Sequence, residues 1–200
     1  MKIQWMGSVA LCAAMCAPAM LAQSMPGTTS APQQKTDSMA GMAGATPPAQ
    51  VYTKLATGLF GEITGAIEAM PEDKFNYVPT GSGFSGVRSF ADQVKHLTGA
   101  NYMFFSGFGL SGGMDESKVK ALKSKAEIVA AWKDSVAYVQ KGIDTMTPQN
   151  AFAPVSSGQM KGTRVGMTSF CLAHAMDHYG QMVEYLRMNN IVPPASRKNS

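Results

Sequence analysis

At 200 residues the chain is sized for one domain with appendages rather than for two full domains. A hydrophobic content of 45% can build a core, and 15% charged residues is low for a cytosolic protein. The net charge of +4 does not describe a nucleic-acid binder. Between Gln50 and Val192 there are 13 Lys/Arg against 12 Asp/Glu, and the surplus sits at Lys2, Lys35, Arg197 and Lys198, so no basic stripe offers phosphates a footprint.

Residues 1–22 read as a secretory signal peptide. Lys2 precedes the apolar run Gly7–Ala22, which carries small residues at Ala17, Ala19 and Ala22 before polar Gln23 and Ser24. That run is too short and too rich in alanine to span a bilayer comfortably, so no stable membrane insertion is expected. The expected location is exported, periplasmic or extracellular. Removal of the leader takes Cys12 and Cys16 with it and leaves Cys171 alone, so no internal disulfide can form. Residues 23–49 are rich in Ser, Thr, Pro, Gly, Ala and Gln, have no apolar period, and read as a disordered low-complexity linker.

Residues 50–192 carry four helical patterns. The first runs from about Val51 to Met70, with Leu55, Leu59, Ile63, Ile67 and Met70 on one face, and stops at Pro71. Tyr77–Gly81 reads as loop. The second runs from about Arg88 to Phe105 and closes in Gly107 and Gly109. The third has Val129, Trp132, Val136, Val139, Ile143 and Met146 on a 3-4-3-4-3 seam and ends at Thr147–Pro148. Lys118, Lys120, Lys123 and Lys125 before it read as a solvated turn. The fourth runs from about Thr163 to Met188. No stretch alternates long enough to predict a sheet. Four helices with one apolar face each bury those faces best against one another, which predicts an all-α four-helix bundle followed by a tail at 193–200.

The three histidines all fall in predicted helices. His174 and His178 are four apart and therefore stacked on one face of the last helix, among apolar neighbours. His96 lies on the second helix, where Gly99 and Ala100 are small enough for a partner helix to approach. Two imidazoles from one helix and one from another supply three corners of a tetrahedron for a divalent ion, with the fourth left for water or substrate. The same pattern also fits three hydrogen-bonded core histidines, and spacing does not separate the two. Around the triad, Gln181 is one turn beyond His178 and suits either the open position or solvent. Asp92 and Asp177 suit either a hydrogen bond to a histidine or solvation. Cys171 suits either a fourth ligand or a buried apolar role. Tyr102 is a candidate for the pocket wall.

Three runs carry a family resemblance: MPEDKFNYVPT after the first helix, RSFADQVKHLTGANYMFF in the second, and LAHAMDHYGQMVEYLRMNNIVPP in the last. In these, from Met70 to Pro194, the chain resembles the DinB-like (DinB/YfiT) superfamily of metal-binding four-helix bundles. The resemblance implies that His96, His174 and His178 are the family's metal triad, that zinc or nickel is the ion, and that the protein forms homodimers. Two functions follow as expectations. One is an exported metal-dependent hydrolase or thiol transferase acting on a small molecule. The other is a non-catalytic, stress-related binding module whose metal is structural or absent.

Overall fold

The computed structural model describes residues 44–197; the expected signal peptide and most of the expected linker lie outside the described residues. Five helices and one hairpin follow in chain order: α1 (Pro48–Ala69), α2 (Phe90–Phe105), α3 (Glu116–Ala121), α4 (Lys125–Asp144), β1 (Pro154–Ser157), β2 (Met160–Thr163) and α5 (Arg164–Met188). The four long helices are the bundle: α1 and α2 each pack against both α4 and α5.

Each long helix begins where its sequence allows. Pro48 is the first residue of α1, a position that needs no N–H donor. The Ser89 hydroxyl caps α2 by accepting from the Asp92 amide at 3.1 Å. Ser124 and Glu127 cap α4 reciprocally, and Thr163 caps α5. The C-terminal end of α1 is closed from outside. The Lys125 ammonium donates to the carbonyls of Glu68 and Met70 at 3.1 and 2.5 Å and lies over the Phe75 ring. Lys125 is thus a helix cap, and the lysine run is not wholly a solvated turn.

The core differs from the predicted faces in detail. Leu55 is exposed at the edge of the buried face of α1, and Phe60 joins the core instead, edge-on to the fully buried Trp132. On α4 the buried face shifts by one position to Ile128, Trp132, Ser135, Val139 and Ile143, leaving Val129 and Val136 half-buried. Ser135 tolerates burial because its hydroxyl donates to the Trp132 carbonyl and accepts from Asn101 Nδ2. Helices α2 and α4 come together closely at Gly142, where a Cβ would sit 2.2 Å from Phe105 Cδ1.

Two elements were not predicted. The short α3 is held by ion pairs and the Asp115 cap. The antiparallel β1–β2 hairpin corrects the expectation of no sheet; its strands have four residues each, too few to show a period. Ser157 of β1 donates to the Phe104 carbonyl and accepts from the Gly107 amide, pinning the hairpin to the end of α2. The expected C-terminal tail returns onto α1: Pro194 closes over Gly65, where a Cβ would meet it at 3.5 Å.

Candidate metal centre

Helix α2 presents His96, and α5 presents His174 and His178 one turn apart. The three rings lie edge to edge, with centroids 4.6 to 5.1 Å apart. One ligating nitrogen from each falls within 4.8 Å of the others. The Nε2 atoms of His96 and His174 are 3.1 Å apart. A tetrahedral zinc ion with Zn–N bonds of about 2.0–2.1 Å needs its nitrogens about 3.3 Å apart, so the His96–His174 pair already stands at a ligating separation and the third nitrogen is within a small side-chain movement of it.

The protonation of the cluster suits ligation. Burial, reinforced by Arg88 and by the neighbouring imidazoles, holds His96 down at about 4. Burial and His174 hold His178 at about 4 against the opposing charge of Asp177. His174 is lowered too, chiefly by burial. All three are neutral at pH 7, with lone pairs to offer.

One of those lone pairs is aimed by a chain of hydrogen bonds that crosses from α5 to α2 and back. His178 Nδ1 is 2.6 Å from Gln93 Oε1. Gln93 Nε2 donates to Gln181 Oε1 at 2.8 Å, and Gln181 Nε2 donates to Asp177 Oδ2 at 3.0 Å. A carboxylate only accepts, so Gln181 must turn its amide nitrogen to Asp177 and its oxygen to Gln93. Gln93 then turns its oxygen to His178. Nδ1 of His178 must carry the proton, and Nε2 is left bare.

A cleft of about 1140 Å³ opens onto His96 and His174. Arg88, Met103, Tyr102 and Phe170 are among the residues on its wall. Gly99 borders it too; a Cβ there would meet nothing within 4 Å, so Gly99 leaves open space rather than admitting a partner helix as the sequence suggested.

The remaining sequence candidates divide. Gln181 and Asp177 join the relay, Asp177 reaching His178 only through two glutamines. Asp92 does not join: Ser89 and Lys95 take its carboxylate at 2.7 and 2.8 Å, and it touches no histidine. Cys171 is buried, its thiol 3.5 Å from Asn101 Oδ1 and outside the cluster of ligating atoms, so it packs as a small apolar group. Tyr102 lines the cleft. Sequence reasoning missed Gln93, 2% exposed on the buried face of α2 one turn before His96, where an uncharged amide among apolar residues was the available signal. It also missed Arg88 as the cation nearest the cluster.

The pattern of the DinB superfamily matches residues 60–182, well over half of the chain. The chain belongs to the DinB superfamily. Two solved DinB-like structures share the fold. One, from Bacillus cereus ATCC 10987, is 13% identical over 72% of this chain and 95% of its own, with a TM-score of 0.63. Another, YjoA of Bacillus subtilis, is 14% identical over 75% of this chain and 99% of its own, with a TM-score of 0.56. No curated protein matches the sequence. In this DinB bundle, the three histidines that could hold a metal ion join α2 to α5, and two of them, His96 and His174, face one cleft.

Proposed function

We propose that this DinB-superfamily protein is exported, binds a divalent ion, zinc or nickel, through His96, His174 and His178, and acts on a small molecule as a hydrolase or thiol transferase. The observation that carries the reading is the neutral triad with two nitrogens 3.1 Å apart at the end of an open cleft. When bound, such an ion supplies Lewis acidity and lowers the pKa of a water or a thiol toward neutrality.

The chain's own residues divide the remaining work. Asp177, Gln181 and Gln93 keep the proton of His178 on Nδ1. Phe104 packs edge-on to the His174 ring at 5.6 Å and restricts its swing. Arg88, unpaired among the described residues, adds positive charge beside the cluster and opposes protonation of all three imidazoles. The binding-module alternative expects the fourth position to be filled by Cys171 or plugged by Met103 or Tyr185; Cys171 is turned to Asn101, Tyr185 bonds the Arg88 carbonyl, and Met103 stands on the wall of a cleft that stays open. That favours the enzyme reading.

Cobalt substitution tests it. The proposal predicts a tetrahedral cobalt spectrum that gains a sulfur-to-cobalt charge-transfer band when a small thiol is added. A cobalt spectrum that no added thiol or azide perturbs contradicts an open position.

A further inference from the structure

The cleft wall carries two hydroxyls with no hydrogen-bond partner among the described residues. Tyr102 of α2 and Tyr138 of α4 pack edge-on at 5.1 Å, and each is only 7% exposed. Tyr185, buried to the same degree, donates its hydroxyl to the Arg88 carbonyl at 3.0 Å. Neither Tyr102 nor Tyr138 has such a partner among the described residues. No fully enclosed side-chain polar atom there goes unpartnered, so the accessible part of each of these buried tyrosines is its hydroxyl end. Both residues line the cleft that reaches His96. Tyr102 follows His96 by six residues, about 9 Å along the helix axis.

Gly113 keeps this corner open. A Cβ there would lie 3.4 Å from the Tyr138 hydroxyl oxygen and 3.6 Å from Tyr102 Cδ1. These are ordinary contact distances, so an alanine fits there and only a larger side chain fills the corner; the φ of Gly113 is not in the left-handed region. Burial raises both phenols, and Asp134 raises Tyr102 further, so both remain donors across the physiological range. Arg88 of this cleft, unpaired among the described residues, acts on the histidines, and near the tyrosines the charges are spent on one another. Asp115 and Glu116 line the same cleft, already paired with Lys118 and Lys120. Met103, Met160 and Phe170 give the cleft an apolar surface.

We infer that Tyr102 and Tyr138 form a specificity subsite that takes an uncharged carbonyl or amide oxygen on an apolar substrate, with Gly113 giving it room. The inference rests on reading the cleft as the substrate site of the histidine centre, but binding at the subsite does not require the metal. The substrate's hydrogen-bonding group is then held along α2 from the histidines, and its apolar body lies over Met103 and Phe170.

The test is titration with benzamide, followed by amide NMR shifts, on chelator-stripped and zinc-treated protein, with zinc uptake measured separately. Benzamide is expected to bind both forms and, in the stripped form, to outcompete benzoate. Tyr102→Phe and Tyr138→Phe should each weaken it about fivefold, the net value of one hydrogen bond, without lowering Tm. Gly113→Val should abolish binding by filling the corner. Failure of benzamide to bind, unchanged affinity in both Phe variants, a Tm loss in those variants, or benzoate binding as tightly to stripped protein each overturns the subsite. Absence of zinc uptake overturns the metal reading alone, and leaves the benzamide result to stand or fall by itself.

Discussion

Gln93 is the residue on which the geometry of the histidine cluster turns. It accepts from His178 and donates to Gln181, so it passes the acceptor-only character of Asp177 on to an imidazole that Asp177 does not touch. Gln93→Leu keeps the volume and removes both bonds. The expected outcome is a 10- to 100-fold loss of zinc affinity, the usual cost of removing such a partner, read by competition with a chromophoric chelator. The histidines themselves were legible in the sequence, because a four-residue spacing on a helix fixes a shared face. Gln93 was not, because its role is set by a partner 85 residues away on another helix. Acid behaviour belongs to this scale too. His96 and His178 titrate near 4 in the fold, against an ordinary value of 6.5. Above pH 6.5 both states are neutral and the groups are indifferent. As pH falls through 6.5 the unfolded chain takes up protons that the fold refuses, so stability is lost progressively down to about 4 and then levels off. Metal-free protein should show this loss in urea titrations between pH 7 and 4, and His178→Gln should flatten it. An equal slope in the variant contradicts the assignment.

The helices obey the periodicities that the sequence displays, and their departures have local causes. All four long helices were legible because each spans at least four turns of a 3.6-residue pattern. The hairpin and α3 were not, being four-residue strands pinned to α2 by Ser157 of β1 and a six-residue helix that buries one side chain, Val119, against the bundle. Leu55 fits the four-residue spacing of α1 but stands at the edge of the buried face, beside exposed Val51 and Ser169, and spacing alone does not fix how wide a buried face is. At the seam of α2 and α4, Gly142 leaves no room for a Cβ beside Phe105. Gly142→Ala should destabilise by about 1–3 kcal/mol, the range for overpacking a well-packed core, in spite of alanine's better helix propensity. A stabilised variant in urea unfolding contradicts that reading of the α2–α4 seam.

For the whole molecule, the triad joins helices from distant parts of the chain. His96 lies in the second quarter of the sequence, and His174 and His178 in the last, so an ion held by all three binds the folded state alone. Such an ion stabilises by about 2.7 kcal/mol when its free concentration is a hundred times its Kd. Chelation should therefore lower Tm, and zinc should restore it. The family and the bundle could be read from three sequence runs; the cleft could not, since it is bounded by α2, α3, α4, the hairpin and α5 together. The most direct measurement is the metal content of the purified protein by elemental analysis, wild type beside His174→Ala. The account predicts a stoichiometric zinc or nickel ion in the wild type that disappears in the variant. A wild type that stays metal-free after incubation with zinc and with nickel contradicts it, and returns His96, His174 and His178 to the packing of the α2–α5 interface.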